Sequence, residues 1–135
     1  MYHFDETYTA KITLNKLTQA AKRGVNVVLM HDMLVSSLDP ELEQEFVKAG
    51  GNYARLGELH KIWQMFNREY FKRSHEKLVY ADNKICLGSA NISADYAHKK
   101  YGVSFFYDLN MYAENVCLDD ARDFLIRNAN YHGVV

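Results

Sequence analysis

The chain has 135 residues, is 48% hydrophobic and carries 16 basic against 17 acidic side chains. That is enough apolar material for one globular domain, residues 1–135, around a single core. The balanced charge argues against a generic nucleic-acid binder, which carries a positive excess to track phosphates. No apolar run approaches the ~18 residues of a membrane span, and no secretory h-region is present. The expectation is a cytoplasmic protein or one peripheral to a membrane.

Thr9 to Arg23 reads as an amphipathic helix, with Ile12, Leu14, Leu17, Ala20 and Ala21 near helical spacing and Lys11, Lys16, Lys22 and Arg23 outward. Gly24 stops it, and Val25 to Met30 is a buried strand of the parallel kind, rich in β-branched residues. His31 and Asp32 follow at its end, where α/β proteins place ligands, although a solvated loop is the simpler reading. Ser37 to Pro40 opens a second helix, with Leu42, Phe46 and Val47 facing in. Gly50 and Gly51 end it before a short strand, Asn52 to Leu56.

From Leu59 to Phe71, Ile62, Trp63, Phe66 and Tyr70 fall at three- and four-residue spacings, as in a helix or helical loop. Its Trp63, Phe66, Tyr70 stripe is either core or, with Lys61, Arg68 and Lys72, an interfacial surface. A hairpin comes next, then a polar connection from Ser93 to Gly102, strands from Val103 to Tyr107 and Asn110 to Val116, and a helix from Asp119 to Asn130. The acidic residues opening that last helix, Asp119, Asp120 and Asp123, suit its N-terminal dipole. The alternation is α/β. Cys86 and Cys117 sit in apolar contexts and read as two buried free thiols of a reducing compartment.

The chemistry concentrates in the hairpin. His75 and Lys77 are two residues apart, so on a strand both side chains leave one face. After a turn at Asp82, Asn83 and Lys84, the return strand Ile85 to Leu87 delivers Gly88, Ser89, Ala90 and Asn91 back beside the histidine. A nucleophilic imidazole, an ammonium and small polar groups form a set that can attack a phosphodiester. Arg68, Lys72 and Arg73 add local positive charge, against Glu69 and Glu76.

His-x-Lys-x4-Asp followed by Gly-Ser-x-Asn resembles the signature of the phospholipase D superfamily. Six specified positions at roughly 5% usage each arise by chance on the order of once in a million chains of this length. Family members commonly have six residues between the Asp and the Gly-Ser; here there are five, Asn83 to Leu87, which alters hairpin register or turn type. Beyond the motif, the order of elements resembles the first half of cardiolipin synthase-like tandem members. Asp5-Glu6-Thr7 before a helix, Ala20 to Val27, Ala49 to Gly51, Asn91 to Tyr96, and Phe106 to Leu109 are all similar to that family. The expected fold is therefore an α/β phospholipase D-like mixed β-sheet flanked by helices. An N-terminal truncation is also expected from the resemblance, because only Met1 to Phe4 match a first strand that family members carry whole.

The resemblance implies phosphodiester exchange through a phosphohistidine. One imidazole attacks phosphorus, a second protonates the leaving oxygen, and water or an alcohol resolves the intermediate. His75 would be nucleophile or acid, with Asp82 completing the motif. Lys77 and Asn91 would clamp the phosphate, helped by Ser89, as charge grows on its oxygens. An imidazole in this role needs an acceptor to fix its tautomer. Asp82, at a hairpin turn, is a poor partner and would cap the turn instead; Asp108 resembles the carboxylate that follows the motif in tandem members. No metal or other cofactor is expected, since the cations are side chains, and His3, His60, His98 and His132 show no ligand spacing. The run His98-Lys99-Lys100 reads as a solvated loop or a contact for anionic head groups.

The expected partners are a phospholipid substrate, a peripheral membrane surface and a second HKD half-site, from a longer chain or a homodimer. A cardiolipin synthase-like phosphatidyltransferase is favoured. The alternatives are a small homodimeric phosphodiesterase or nuclease, and a non-catalytic remnant serving as a binding module.

Overall fold

A computed structural model describes residues 4–5, 7–32, 35–56, 75–96, 107–114 and 119–131. The first helix, α1 (Tyr8–Lys22), buries Ala10, Leu14, Thr18 and Ala21, a stripe at three- and four-residue spacing. Thr18 reaches the interior without penalty because its hydroxyl donates to the Leu14 carbonyl at 2.9 Å. Ile12, expected inward, lies off that stripe and is exposed. Asp5 starts the helix by accepting the Thr7 amide at 3.0 Å, and its other oxygen accepts the Ala94 amide at 3.4 Å. Gly24, at φ +85°, ends it in the left-handed conformation that costs glycine least.

The strand expected from Val25 begins later, as β1 (Val28–Asp32). The reason is local: the Val25 amide still donates to Ala20 O at 3.2 Å, closing the helix end, so the chain extends only beyond it. His31 and Asp32 are consequently not a solvated loop. They are the last residues of β1 and are 2% and 1% exposed.

Asp39 caps α2 (Pro40–Lys48) by accepting the Glu41 amide, with Pro40 at its first position. Phe46 is fully buried and Leu42 packs on the core, whereas Val47, also expected inward, is turned about 100° from Phe46 and is exposed. The strand β2 (Asn52–Leu56) pairs in parallel with β1, from Val28 opposite Asn52 to Asp32 opposite Leu56. One core, Phe4, Ala10, Leu14, Ala21, Val27, Leu29 and Phe46, lies between this pair and the two helices.

The hairpin strands β3 (Leu78–Ala81) and β4 (Lys84–Gly88) and the strand β5 (Asn110–Glu114) form an antiparallel sheet in that order. Phe4 joins the two halves through a parallel bridge to Ile92, so the N-terminal segment lies directly beside the Gly-Ser-x-Asn turn. α3 (Asp119–Tyr131) follows, opening on Asp119 and Asp120 and burying Ala129. Helices with parallel and antiparallel strands make the chain α/β, as expected.

Cys86 is a free thiol, half-buried rather than buried. The predicted helix at Leu59 to Phe71, most of the strand Val103 to Tyr107, the run His98 to Lys100, Cys117, and His3, His60 and His132 lie outside the described residues. Among the described residues, no helix is long and apolar enough to cross a membrane.

Candidate functional site

Pairing in the hairpin runs from Ala81 opposite Lys84 to Leu78 opposite Leu87. It continues past the strand end, where the Gly88 amide donates to Lys77 O at 3.2 Å. On the other side Gly88 faces Asn110 of β5. Glycine is demanded there: a Cβ would lie 2.2 Å from Asn110 Oδ1 and 2.5 Å from the Leu109 carbonyl oxygen. Ser89 then ties the two strands together. Its amide donates to Leu109 O at 3.2 Å, and its Oγ accepts the Leu109 amide at 3.1 Å. This clasp spans twenty residues of sequence and fixes the backbone next to Asp108.

At the same end of the hairpin, Lys77 is 7% exposed while His75 is exposed. The Lys77 Nζ donates to the His75 carbonyl oxygen at 2.9 Å and lies 3.2 Å from each ring nitrogen of His75. Equal distances put the ammonium on the plane bisecting the two nitrogens, away from the lone-pair direction of either. The two side chains therefore touch, as their spacing predicts, without the lysine saturating one nitrogen. Burial lowers the Lys77 pKa, and the Asp108 carboxylate opposes that shift. Asp108 therefore acts on the ammonium through charge, and its chain neighbour Leu109 is the residue held by the Ser89 clasp.

The remaining motif residues divide. Asn91 is half-buried in the turn leading to Ile92. Asp82 sits at the opposite end of the hairpin, exposed, with φ 54° in the two-residue loop between Ala81 and Lys84. The four residues of β3 lie between it and Lys77, five residue steps or roughly 17 Å at the rise of an extended chain. A side chain cannot cover that distance, so Asp82 does not join the cluster. Its left-handed backbone is one that Asp tolerates better than most residues, and the shortened spacing to Gly88 is absorbed as this tight turn. Among the described residues, no group of three His, Cys, Asp or Glu side chains is placed to hold a metal ion.

A second polar cluster joins His31, noted from its place at a strand end, to Tyr53, Arg55 and Glu43, which the sequence did not single out. His31 Nε2 is hydrogen-bonded to the Tyr53 hydroxyl, and Arg55 pairs with Glu43 at 2.6 Å. Only the parallel register, which sets His31 opposite Arg55, brings these residues together. The available signal was the alternation of Tyr53 and Arg55 on one strand face, which by itself is an ordinary pattern.

The sequence matches the family described as cardiolipin synthase, PLD-like domain, over residues 1–114. A cardiolipin synthase of Clostridium perfringens (strain 13 / Type A) is 24% identical over 131 residues, covering 96% of this chain and 27% of the relative. A second cardiolipin synthase, from strain SM101 of the same species, is 26% identical over 120 residues, covering 88% of this chain and 25% of the relative. The chain therefore spans about a quarter of the length of these curated relatives. No solved structure matches it. With the match extending from the first residue through the motif hairpin to the end of β5, the chain belongs to the PLD-like domain family of cardiolipin synthase.

Proposed function

We propose that this domain supplies one half-site for phosphatidyl transfer through a phosphohistidine, with His75 as nucleophile or acid. The observation that carries the reading is the contact between an exposed imidazole and a buried ammonium at the end of the hairpin. An ammonium held away from water interacts strongly with charge developing on phosphoryl oxygens, and its position needs no rearrangement during the reaction. Exposure of His75 leaves it accessible to a phosphorus centre approaching from outside the domain. Asn91 would add an amide donor. Ser89 could bind phosphate only with the donor and acceptor capacity left beyond its Leu109 clasp, so its main role in this reading is to hold Asp108 against Lys77. Asp108 opposes the lowering of the Lys77 pKa that burial causes, and Asp82 shapes the turn.

Attack on one side of phosphorus requires an acid on the other. A second HKD half-site, from a longer chain or another copy, provides it. The substrate in this reading is a phospholipid, and the family membership and the cardiolipin synthase relatives support that choice. The test is His75→Ala in the complete enzyme that contains this domain, assayed for transfer between phospholipids, with folding checked by circular dichroism. The variant is expected to lose turnover and keep its fold. Near-parental turnover by His75→Ala would refute the assignment.

A further inference from the structure

Lys77, Gly88 and Asn110 stand in one row across the sheet. The Gly88 amide donates to Lys77 O at 3.2 Å, which extends the β3–β4 pairing by one position, and Gly88 pairs with Asn110 of β5. Residues directly opposite one another in antiparallel strands project to the same face. Asn110 therefore belongs to the face that carries Lys77. Asp108, two positions earlier on the same chain, shares that face by alternation, and its carboxylate acts on the Lys77 ammonium. From Lys77 to Asn110 the row is about 10 Å wide between Cα atoms, one hydrogen-bonded pair and one closer, non-hydrogen-bonded pair.

The middle of that row has no side chain, and Asn110 leans into the gap. Its Oδ1 lies only 2.2 Å from where a Cβ on Gly88 would be. The Ala90 amide faces the same oxygen at 3.4 Å. An amide N–H can only donate, so the carboxamide oxygen takes this place and Nδ2 is turned away from it. The backbone of the Gly-Ser-x-Asn turn thus engages one end of the side chain. Among the described residues the other end, Nδ2, has no hydrogen-bond partner. Asn110 and His75 are both exposed, so a group that reaches the imidazole from solvent can also reach Nδ2.

On the reading of this hairpin end as a half-site for phosphodiester exchange, we propose that Asn110 is a further phosphate-binding residue, donating from Nδ2 to a phosphoryl oxygen beside Lys77. The carboxamide serves two purposes at once. Its oxygen steadies Ala90, the residue before Asn91, and its nitrogen offers a neutral donor on the Lys77 face. Support for the backbone would need only the oxygen, which an aspartate supplies equally well. Asn91 and Asn110 then flank the phosphate from the turn and from β5, while Lys77 brings the charge. A donor held in place by its own carbonyl needs no rearrangement as charge grows on the phosphoryl oxygens.

The test is NMR on the intact chain titrated with dimethyl phosphate, following the side-chain amide signals of Asn91 and Asn110 and the Lys77 ¹⁵Nζ signal. The Asn110 amide is expected to shift saturably, with the same midpoint as Lys77. Shifts at Lys77 and Asn91 that leave Asn110 unmoved would overturn the proposal and leave the half-site reading standing. No saturable shift at any of the three would remove both. Two variants then separate donor from support. Asn110→Asp keeps an oxygen for the Ala90 amide and loses the N–H donors; Asn110→Ala loses both without adding charge. Each is expected to raise the midpoint about tenfold, the loss of one hydrogen bond to a charged group. The Ala90 backbone signal should stay in place in Asn110→Asp and move in Asn110→Ala. A parental midpoint in either variant would reduce Asn110 to a backbone support and overturn the proposal.

Discussion

Gly88→Ala tests whether the close approach of β5 holds the candidate site together. The new Cβ would lie 2.2 Å from Asn110 Oδ1, 2.5 Å from Leu109 O and 2.7 Å from Asn110 Cα, where 3.0 Å is the practical limit. Rotating the Asn110 side chain relieves the first clash. The other two involve backbone, so β5 must withdraw by 3.0 − 2.5 = 0.5 Å at Leu109 and 3.0 − 2.7 = 0.3 Å at Asn110. The three Ser89–Leu109 hydrogen bonds stretch with it. Overpacking of this kind costs about 1–3 kcal/mol, a melting temperature lower by roughly 4–12 °C at about 4 °C per kcal/mol. The sharper consequence is electrostatic: as Asp108 retreats, Lys77 loses the interaction that offsets its desolvation, and its pKa falls further. Thermal denaturation and NMR titration of the Lys77 side chain measure the two effects. Gly24→Ala is the control. It sits at φ +85° with open space around it, so it should destabilise through backbone strain of about 1–2 kcal/mol and leave the Lys77 titration alone. A Gly88→Ala chain within about 0.5 kcal/mol of the parent and with an unshifted Lys77 would refute the reasoning.

Asp108→Asn should lower the Lys77 pKa with little change in stability; a lysine titration that stays put would dissociate the two residues. Stability should also fall as pH drops below 6.5, because the unfolded His31 takes up its proton there while the buried imidazole resists until a lower pH. The loss is at most about 1.4 kcal/mol per pH unit between those two points, and His31→Gln should flatten that part of a urea-denaturation series measured from pH 7.5 to 5. Excess EDTA should leave turnover of the complete enzyme unchanged; loss of activity restored by a divalent ion would move the reaction into a metal-dependent class.

How far a residue's role could be read from sequence followed the range of the interactions that define it. α1, α2 and α3 came from periodicity, capping and dipole signals that act within a few residues, and their observed limits differ from the expected ones by no more than three positions. The hairpin is equally local, so the sequence alone places His75, Lys77, Gly88 and Ser89 at one end of it. Asp82, expected as the third catalytic member of the motif, stands apart from the others, since a turn residue cannot also stand at the open end. Burial on β1 was less accessible. Periodicity located an apolar run but not the point at which helix closure released the chain, and those three residues of delay changed His31 and Asp32 from loop to core.

The parallel register that sets His31 opposite Arg55 has no local code, because a helix and two turns separate the strands. Asp108 is the instructive case between these extremes. Resemblance suggested that it orients the His75 imidazole, and nothing near it in sequence points to Lys77, on which its charge acts. The structure supplies a physical cause in the absent Cβ of Gly88 and the hydroxyl of Ser89, which together draw β5 against the hairpin. In the proposed reading the Gly-Ser pair, besides any contact with phosphate, couples a distant carboxylate to the buried ammonium. That interpretation separates Ser89→Ala from Asn91→Ala. The serine variant should shift the Lys77 titration because the clasp loosens, while the asparagine variant should leave it unchanged. An identical Lys77 titration in the parent and both variants would return Ser89 to the simpler role.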